Sequence, residues 1–440
     1  MTLLRAPSEQ RLPSARRRFV SRPSAAVLLW CGLIAIASAW GGILLWRGAY
    51  FSSIGAPPLW GHFGLILSPG ILIALSVSAA VLMLLPRLSA TLRWRWVLLV
   101  VPIIALVWAC SLTFVAGPRE IIRPVLSANE YLHDLPRVGD PITFLHQFVA
   151  HISTYATHVR AHPPGMLLFV WLLDRVGLRG AWPAALAMIA GGGASVAAAM
   201  VAIRELAGED AARAAAPFLA IAPAAIWIAT SADAFYTGVS AWAIALIALA
   251  TGRRGRRGAA YAIGGGLLFG LTLMLSYGLV ALAAVPMVVG FARRRVQPLV
   301  FAGLGIAAVL IAFRAMGFSW IAGFFATRHQ YEIFRTRFRP YGYFLFANLA
   351  AFAVALGPAI ARALARLKDR GVWLLVAGGL IAVAVSDLSG LSKGEVERIW
   401  LPFAPWVLAS TAGLDGDRHR WLGGQIGVAL FIACVLRTAW

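Results

Sequence analysis

The fold of this chain is decided by stretches such as residues 25–46, AAVLLWCGLIAIASAWGGILLW, which contain no charged side chain. An apolar run of about 20 residues has the length that crosses a bilayer as an α-helix. Such runs recur along the 440 residues, of which 60% are hydrophobic and only 13% charged. The sequence therefore predicts an all-α, multi-pass membrane protein that forms a single domain over residues 1–440.

The arginines gather in short connections between apolar runs, as the positive-inside rule describes. A net charge of +22 would favour nucleic acid as the partner of a soluble chain, but here it reflects topology, and no nucleic-acid partner is expected. Residues 1–24 are predicted to be a basic cytoplasmic N-terminus, on the same side as the clusters at 87–95, 253–257, 293–295 and 362–370. Thirteen transmembrane helices fit this pattern, at residues 25–46, 63–86, 97–116, 181–203, 212–231, 236–251, 258–275, 277–292, 298–317, 344–363, 372–389, 400–412 and 422–438.

Three polar stretches then fall on the extracytoplasmic face, at residues 117–180, 318–343 and 387–400. The first includes SANEYLHDLPRVGDPITFLHQFVAHISTYATHVRAHPPG, residues 127–165, which holds three acids and five of the eight histidines. The apolar segment 164–177 is predicted to be an interfacial or re-entrant helix, because a further crossing would move the basic cluster at 253–257 outside. Chemistry is expected on this face, away from cytoplasmic ATP and nucleotide sugars.

Acidic side chains of the first polar stretch are candidates for a general base. Glu130, Asp134 and Asp140 could each accept a proton from a sugar hydroxyl as that hydroxyl attacks an anomeric carbon. Each of them could equally be a helix cap or a solvated loop residue.

A histidine series follows the acids. A helix over residues 143–162 would place His151, His158 and His162 on one face. A zinc site would need further converging ligands, so packing at the lipid headgroup level is the alternative. His162 is the more specific candidate for substrate binding, because Pro163 and Pro164 end the helix and fix its direction.

Basic residues in the second polar stretch run against the positive-inside bias. Arg328, His329, Arg335, Arg337 and Arg339 could bind the phosphate of a lipid-linked donor, since guanidinium groups match phosphate oxygens. Binding to lipid headgroups at the membrane surface is the equal alternative.

The third polar stretch carries four charged residues just before an apolar segment. Lys393 and Arg398 could pair with a leaving phosphate while Glu395 or Glu397 orients them. An ordinary salt-bridged helix start is the competing interpretation.

Taken in order, these pieces resemble the GT-C superfamily of integral-membrane glycosyltransferases. The resemblance rests on the acidic loop with Glu130, the AHPPG segment at 161–165, the outward Asp233 in SADAFY, and GEVERIWLPF at 394–403. The superfamily signature places an Asp-Glu pair after the first helix, whereas residues 47–62 contain no acid here. The base therefore stays open between Glu130, Asp134 and Asp140.

The resemblance implies an inverting transfer from a polyprenyl-phosphate sugar to an envelope glycan or glycolipid, with Glu130 as the base and Asp233 among the substrate-binding residues. Members of the superfamily differ in needing a divalent cation, so Mg²⁺ or Mn²⁺ is an open alternative to no cofactor. More narrowly, the chain resembles actinobacterial members that modify envelope glycans. Membrane lipids are the remaining expected partners.

A competing class is a transporter or flippase of a lipid-linked sugar. Transporters place charged residues near the bilayer midplane and are built from paired halves with broken helices. The polar residues here cluster at one face, which favours an enzyme in the cell membrane with an extracytoplasmic active site.

Overall fold

A computed structural model describes residues 25–49, 51 and 54–438, without the side chains of Thr230 and Arg335. The predicted N-terminal segment 1–24 lies outside the described residues. Nearly all of the regular structure is helical, as predicted. The α-helices in chain order are α1 Ala25–Trp46, α2 Gly70–Thr91, α3 Trp94–Thr113, α4 Tyr131–Asp134, α5 Pro141–Gln147, α6 Thr157–Ala161, α7 Gly165–Arg175, α8 Ala181–Ala207, α9 Glu209–Ile221, α10 Ala232–Thr251, α11 Gly255–Leu275, α12 Ala284–Ala292, α13 Gln297–Ala315, α14 Trp320–Ile333, α15 Tyr341–Leu356, α16 Ala359–Arg366, α17 Arg370–Leu388, α18 Val396–Ile399, α19 Ala404–Leu408 and α20 Arg418–Val435.

Short 3₁₀ helices and one small ribbon complete the described structure. The ribbon pairs β1, His62–Phe63, antiparallel with β2, Leu436–Arg437, and so joins the first connection to the end of the last helix. The 3₁₀ helices are Pro118–Ile121, Leu135–Arg137, Ile152–Thr154, Pro223–Thr230, Tyr277–Ala283, Arg335–Phe338, Leu401–Phe403 and Ala409–Gly413.

Within the described residues, eight helices are long and apolar enough to cross a membrane: α1, α2, α3, α8, α10, α11, α13 and α17. Two bent pairs, α9 with Pro223–Ala229 and α15 with α16, bring the number to ten if each pair is one span. The multi-pass class is confirmed, but the count of thirteen is not. The predicted span 400–412 is a series of short helical turns, because Pro402 and Pro405 remove backbone donors.

Close helix packing in the centre of the bundle depends on small residues. Helix α8 packs on α10, and α10 packs on α11, which in turn packs on α13. A Cβ atom on Gly238 would lie 2.4 Å from the carbonyl oxygen of Gly191, so neither helix tolerates a side chain at this crossing. Such contacts let helix backbones approach closely where lipid supplies no hydrophobic drive.

The basic connections meet at one end of the bundle. Glu205, at the end of α8, binds Arg253 at 2.9 Å and Arg293 at 3.6 Å. Arg213 of α9 donates to the carbonyl of Ser89, 2.7 Å away near the end of α2. The connections that precede α3, α9, α11 and α13 therefore lie together, on the common side where their arginines were predicted to be. We call this the basic end.

The chain between α3 and α8 lies at the opposite end and is built from short helices. The continuous helix over 143–162 that would align the histidines does not form: α5 ends at Gln147, and α6 begins only at Thr157. Side-chain bonds compete with the helix here, because the Thr154 hydroxyl donates to the His151 carbonyl and the Ala156 amide to the Asp134 carboxylate. Helix α7 has 11 residues, roughly 16 Å, which is too short to cross a bilayer.

Candidate functional site

Glu130 is a buried carboxyl group that immediately precedes α4. Its side chain is 6% exposed, and its Oε1 lies 3.1 Å from Nδ1 of His158 in α6. Burial raises the pKa of Glu130 to about 7, and the charge of Arg398 opposes part of this rise. Burial likewise holds the pKa of His158 well below its usual range, so the imidazole is neutral and donates from Nδ1. Glu130 is thus poised to exchange a proton near neutral pH.

Arg398 lies at the centre of the charged residues. Its guanidinium group binds Asp233 Oδ2 at 2.5 Å and Glu395 Oε2 at 3.4 Å. The field of Arg398 also reaches Glu130. Glu130, Asp233, Glu395 and Arg398 therefore form one charged cluster, built from α10 and from the two polar stretches that hold α4 and α18.

Arg339 extends this charged cluster. Its guanidinium group binds Glu395 Oε1 at 3.1 Å and the Lys393 carbonyl at 2.5 Å, and its side chain is 5% exposed. The Lys393 ammonium group in turn donates to the carbonyls of Arg337 and Arg339, at 3.0 and 3.2 Å. Burial lowers the pKa of Lys393, and nearby Arg339 adds to the effect. The two polar stretches 318–343 and 387–400 are thus held to each other at the site.

Asn348 of α15 fixes the backbone of residues 392–394, just before Glu395. Its amide donates to Asp387 Oδ1 at 2.9 Å and to the Ser392 carbonyl at 2.8 Å, and its side-chain oxygen accepts from the Gly394 amide at 3.1 Å. Immediately after this contact the backbone of Glu395 adopts the left-handed region, with φ 64°, which is unusual for a residue with a side chain. That turn directs the Glu395 carboxylate between the two arginines.

Glu397 is buried but points elsewhere. Its Oε1 accepts from the backbone amide of Trp60 at 2.9 Å, so it ties α18 to the first connection of the chain. Burial raises the pKa of Glu397 to about 7. Its contact is with the scaffold, whereas Glu395 and Arg398 belong to the charged cluster.

Two tyrosines and a histidine line the side of the charged cluster next to α10. The hydroxyl groups of Tyr131 and Tyr236 lie 2.5 Å apart. The His162 ring lies 5.8 Å from the Tyr236 ring and 6.5 Å from the His158 ring, measured between centroids. Burial lowers the pKa of His162 to about 3, so this ring is neutral as well.

A cavity of about 310 Å³ opens beside the charged cluster. His162 lies between the two, and Ile399 follows Arg398 in the chain. Two cationic side chains, Arg160 and Arg328, also face the cavity. The complete lining is Thr157, Arg160, Ala161, His162, Ser276, Tyr277, Gly278, Phe324, Thr327, Arg328, Gln330, Tyr331, Phe334, Thr336, Leu391, Ser392 and Ile399.

The structure does not bring every candidate to this place. Asp134 is fully buried, but it accepts from the Ala156 amide at 2.6 Å and pairs with Arg137 at 3.3 Å. Asp140 is exposed and caps α5 by accepting from the Thr143 amide at 2.8 Å. These contacts give both acids a structural role: Asp140 is a helix cap, as the alternative interpretation stated, whereas the Asp134 side chain neither caps a helix nor is solvated.

The remaining basic candidates lie at the surface. Arg328 pairs with Glu332, and both side chains are more than half exposed. His329 is exposed, and Arg337 donates to the Glu332 carbonyl. The side chain of Arg335 lies outside the described residues.

Sequence reasoning did not single out Tyr236 and Asn348, which the site contains, and it named His158 and Arg339 only as members of larger groups. One signal was available for Tyr236, which lies three residues after Asp233 and therefore on the same face of a helix. Asn348 had no local signal, because its partners lie about 40 residues further along the chain.

The side chains of the charged cluster fit a resident divalent cation poorly as ligands. Within the described part of the chain, no three His, Cys, Asp or Glu side chains converge as metal ligands. The carboxylates of the charged cluster already have partners: Glu130 binds His158, Asp233 binds Arg398, and Glu395 binds both arginines. Mg²⁺ and Mn²⁺ favour several oxygen ligands, and carboxylates are the usual protein contribution.

Comparison with known proteins gives distant structural likeness. No protein-family model and no curated sequence matches the chain. Among solved structures, ArnT from Cupriavidus metallidurans in the apo state aligns with a TM-score of 0.47 and 17% identity, covering 76% of this chain and 63% of that one. The Archaeoglobus fulgidus oligosaccharyltransferase complex with Zn and sulfate aligns with a TM-score of 0.35 and 16% identity, covering 62% and 42%. The chain thus spans less than two thirds of either protein that it matches.

Proposed function

We propose that this protein is an inverting glycosyltransferase of the cell membrane. It takes a sugar from a polyprenyl-phosphate carrier on the extracytoplasmic face and transfers it to an envelope glycan or glycolipid. The observation that carries the proposal is Glu130, a buried carboxyl group whose pKa burial raises to about 7, in a charged cluster next to a cavity that Arg160 and Arg328 line. This cluster lies at the end opposite the basic end.

In the proposed reaction Glu130 is the general base. The acceptor hydroxyl gives its proton to Glu130 while its oxygen forms a bond to the anomeric carbon of the sugar. The bond from that carbon to the phosphate oxygen breaks, and its electron pair leaves with the polyprenyl phosphate. Attack from the face opposite the leaving group inverts the anomeric centre. His158 acts as a positioning residue, because its Nδ1 hydrogen bond fixes the Glu130 carboxylate.

Arg160 and Arg328 are the cations best placed for the donor phosphate. Both line the cavity, and the exposed pair of Arg328 with Glu332 is weak enough to exchange for a phosphate. Arg339 and Arg398 are already held by carboxylates: the charge of Arg398 acts on Glu130, and Arg339 holds Glu395 in place.

The test of the base is Glu130→Gln. The substitution preserves size and can keep the contact with His158, so the protein should insert and unfold as before. Transfer should fall by roughly two to four orders of magnitude, the usual contribution of a positioned base. Asp140→Asn is the matched control and should retain near-normal transfer. Near-normal turnover of Glu130→Gln would remove it from the role.

The test of the donor compares two forms of the same sugar with purified protein. We expect transfer from the polyprenyl-phosphate form and none from the nucleotide-linked form. Transfer from a nucleotide sugar without any lipid carrier would refute the donor class.

The acceptor is assigned only by the narrower resemblance. A methylthioxylose transferase acting on lipoarabinomannan is the member that the sequence resembles in this narrower group, so lipoarabinomannan is the first acceptor to test. Comparing the envelope glycans of a deletion strain with those of its parent identifies the missing sugar. Unchanged glycans would exclude an envelope acceptor.

No step of the proposed reaction runs through a metal ion, because the carboxylates of the charged cluster are engaged. Transfer should therefore persist when EDTA is added in excess over Mg²⁺ and Mn²⁺. Loss of transfer that either cation restores would show that the donor brings a cation into the site.

A further inference from the structure

The cavity beside the charged cluster contains polar groups that the proposed reaction does not use. His162 Nδ1 and Tyr331 Oη are buried and have no hydrogen-bond partner among the described residues, and the buried Tyr277 hydroxyl interacts with the Thr327 hydroxyl. All three side chains line this one cavity. Tyr277 is only 6% exposed, and the Thr327 hydroxyl beside it donates to the Arg160 carbonyl. Buried polar atoms are nearly always hydrogen-bonded, so two unpaired ones in one cavity indicate a ligand with polar groups.

Aromatic rings also form part of the cavity wall. Tyr277 packs edge-on against Trp320 and Phe324, with centroids 5.3 and 5.8 Å away. Phe334 lies under the guanidinium group of Arg160 at 4.0 Å. The rings offer apolar faces, while the hydroxyl groups of the tyrosines offer hydrogen bonds. This combination matches a sugar ring, which has apolar C–H faces and a rim of hydroxyl groups.

A prenyl chain matches the cavity less well. It would leave His162 and Tyr331 unsatisfied, and each unpaired buried group costs free energy. The volume of about 310 Å³ is also at the small end of ligand sites, which suits one compact ring better than an extended chain.

We propose that this cavity is a saccharide site, which holds the sugar of the donor and selects it through hydrogen bonds from Tyr277 and Tyr331. The inference rests on the proposed function, since it assigns a subsite to the same donor. Sites built to hydrogen-bond a hydroxyl group discriminate strongly against ligands that lack it. These tyrosines would therefore determine which sugar is transferred.

The experiment measures binding rather than transfer. The full-length protein is immobilised in detergent, and its affinity is measured for polyprenyl phosphate alone and for polyprenyl phosphate carrying mannose, glucose, arabinose or xylose. Wild-type protein should bind at least one sugar-bearing lipid more tightly than the bare lipid. Tyr277→Phe and Tyr331→Phe should each reduce that gain about three- to tenfold and leave the affinity for bare lipid unchanged.

The matched control is Tyr341→Phe, because the Tyr341 hydroxyl donates to the Leu388 carbonyl and does not face the cavity. This variant should bind every lipid like the wild type. The inference is overturned if no sugar improves binding, or if the cavity variants weaken bare lipid as much as sugar-bearing lipid. If the gain from the sugar persists in both cavity variants, the saccharide site fails while the proposed function stands. If the binding results are as expected but no acceptor receives sugar, the site stands and the enzymatic function fails.

Discussion

Glu130 combines a buried position with a pKa of about 7, which makes its charge depend on pH in the neutral range. A base must be deprotonated to act, so activity should increase with pH. We expect kcat/KM to rise about tenfold per pH unit below about 7 and to level off above it. Initial rates measured from pH 5 to pH 9 at low donor concentration test this profile.

The control for the profile is Glu397, whose pKa burial also raises to about 7. Glu397→Gln can still accept from the Trp60 amide, and its profile should keep the inflection. The small remaining activity of Glu130→Gln should lose it. If the inflection disappears in Glu397→Gln instead, the pH dependence belongs to Glu397 and the assignment to Glu130 is contradicted.

The ion pair between Asp233 and Arg398 is buried on both sides, with the two side chains 4% and 6% exposed. Removing one partner of such a pair typically costs about 3–5 kcal/mol, because the other charge stays buried. Asp233→Asn and Arg398→Gln should each lower the free energy of unfolding by about this amount. The double variant should lose clearly less than the sum, as measured by thermal unfolding in detergent.

The same comparison of single and double variants, made on Arg328 and Glu332, provides the control. Both side chains are more than half exposed, and exposed pairs at this helix spacing contribute only about 0.3–0.5 kcal/mol. Equal coupling in the two cycles would contradict a special role for the buried pair.

At the residue scale, the sequence identified the charged residues that stand out in an apolar chain, but it did not predict their partners. Glu130, Asp233, Glu395 and Arg398 were all candidates, because charge in a chain with 13% charged residues is conspicuous. Asp134 and Asp140 looked equivalent to Glu130 until burial and backbone contacts separated them. That separation depends on which amide groups lie near each carboxylate, and the fold alone determines this.

At the element scale, one segment of the site is positioned by a neighbouring helix. Asn348 of α15 holds residues 392–394 through two hydrogen bonds and is itself 2% exposed. Asn348→Ala should leave the Gly394 amide and the Ser392 carbonyl unpaired, at about 1–3 kcal/mol each. We expect the thermal midpoint to fall and transfer to fall with it, because Glu395 and Arg398 lose their fixed backbone.

Asn348→Asp separates the two effects. It keeps an acceptor for the Gly394 amide but places a carboxylate against Asp387, so the segment should be displaced more than in Asn348→Ala. Full transfer in both variants would show that the segment holds its shape without α15.

Helix type and approximate position followed from the apolar runs, whereas the continuity of the helices did not. The run near 209–231 is bent by 60° between α9 and the following 3₁₀ helix, and α15 meets α16 at 95°. Residues 143–162 have helical spacing, yet side chains of Asp134 and Thr154 take the backbone bonds that a helix would need. The contact between Asp134 and the Ala156 amide spans 22 residues, so it leaves no periodic signal in the sequence.

At the scale of the whole molecule, orientation in the membrane is the prediction on which the donor class depends. Single cysteines at His133 and His329 should react with an impermeant maleimide added outside intact cells. Cysteines at Arg256 and Lys368 should react only after permeabilisation. All four positions are exposed in the structure.

The background for labelling lacks the native thiols Cys31, Cys110 and Cys434. Labelling of Arg256→Cys from outside would show that the orientation is the opposite one and that the charged cluster faces the cytoplasm. The clustering of arginines predicted that their connections share one end, and the contacts of Glu205 with Arg253 and Arg293 agree.

Asp233 and Arg398 are separated by 165 residues, and this distance has a consequence for how the protein is made. A ribosome adds that length in roughly 10 to 30 s, at about 5–20 residues per second. Helix α10 therefore reaches the translocon with an aspartate in its first turn and no arginine to neutralise it. On insertion scales, the free-energy cost of placing such a residue deep in the bilayer is up to about 3 kcal/mol. This cost keeps the Asp233 end of α10 at the aqueous edge. The site is consequently incomplete when α10 inserts, and its completion waits until Arg398 has been synthesised.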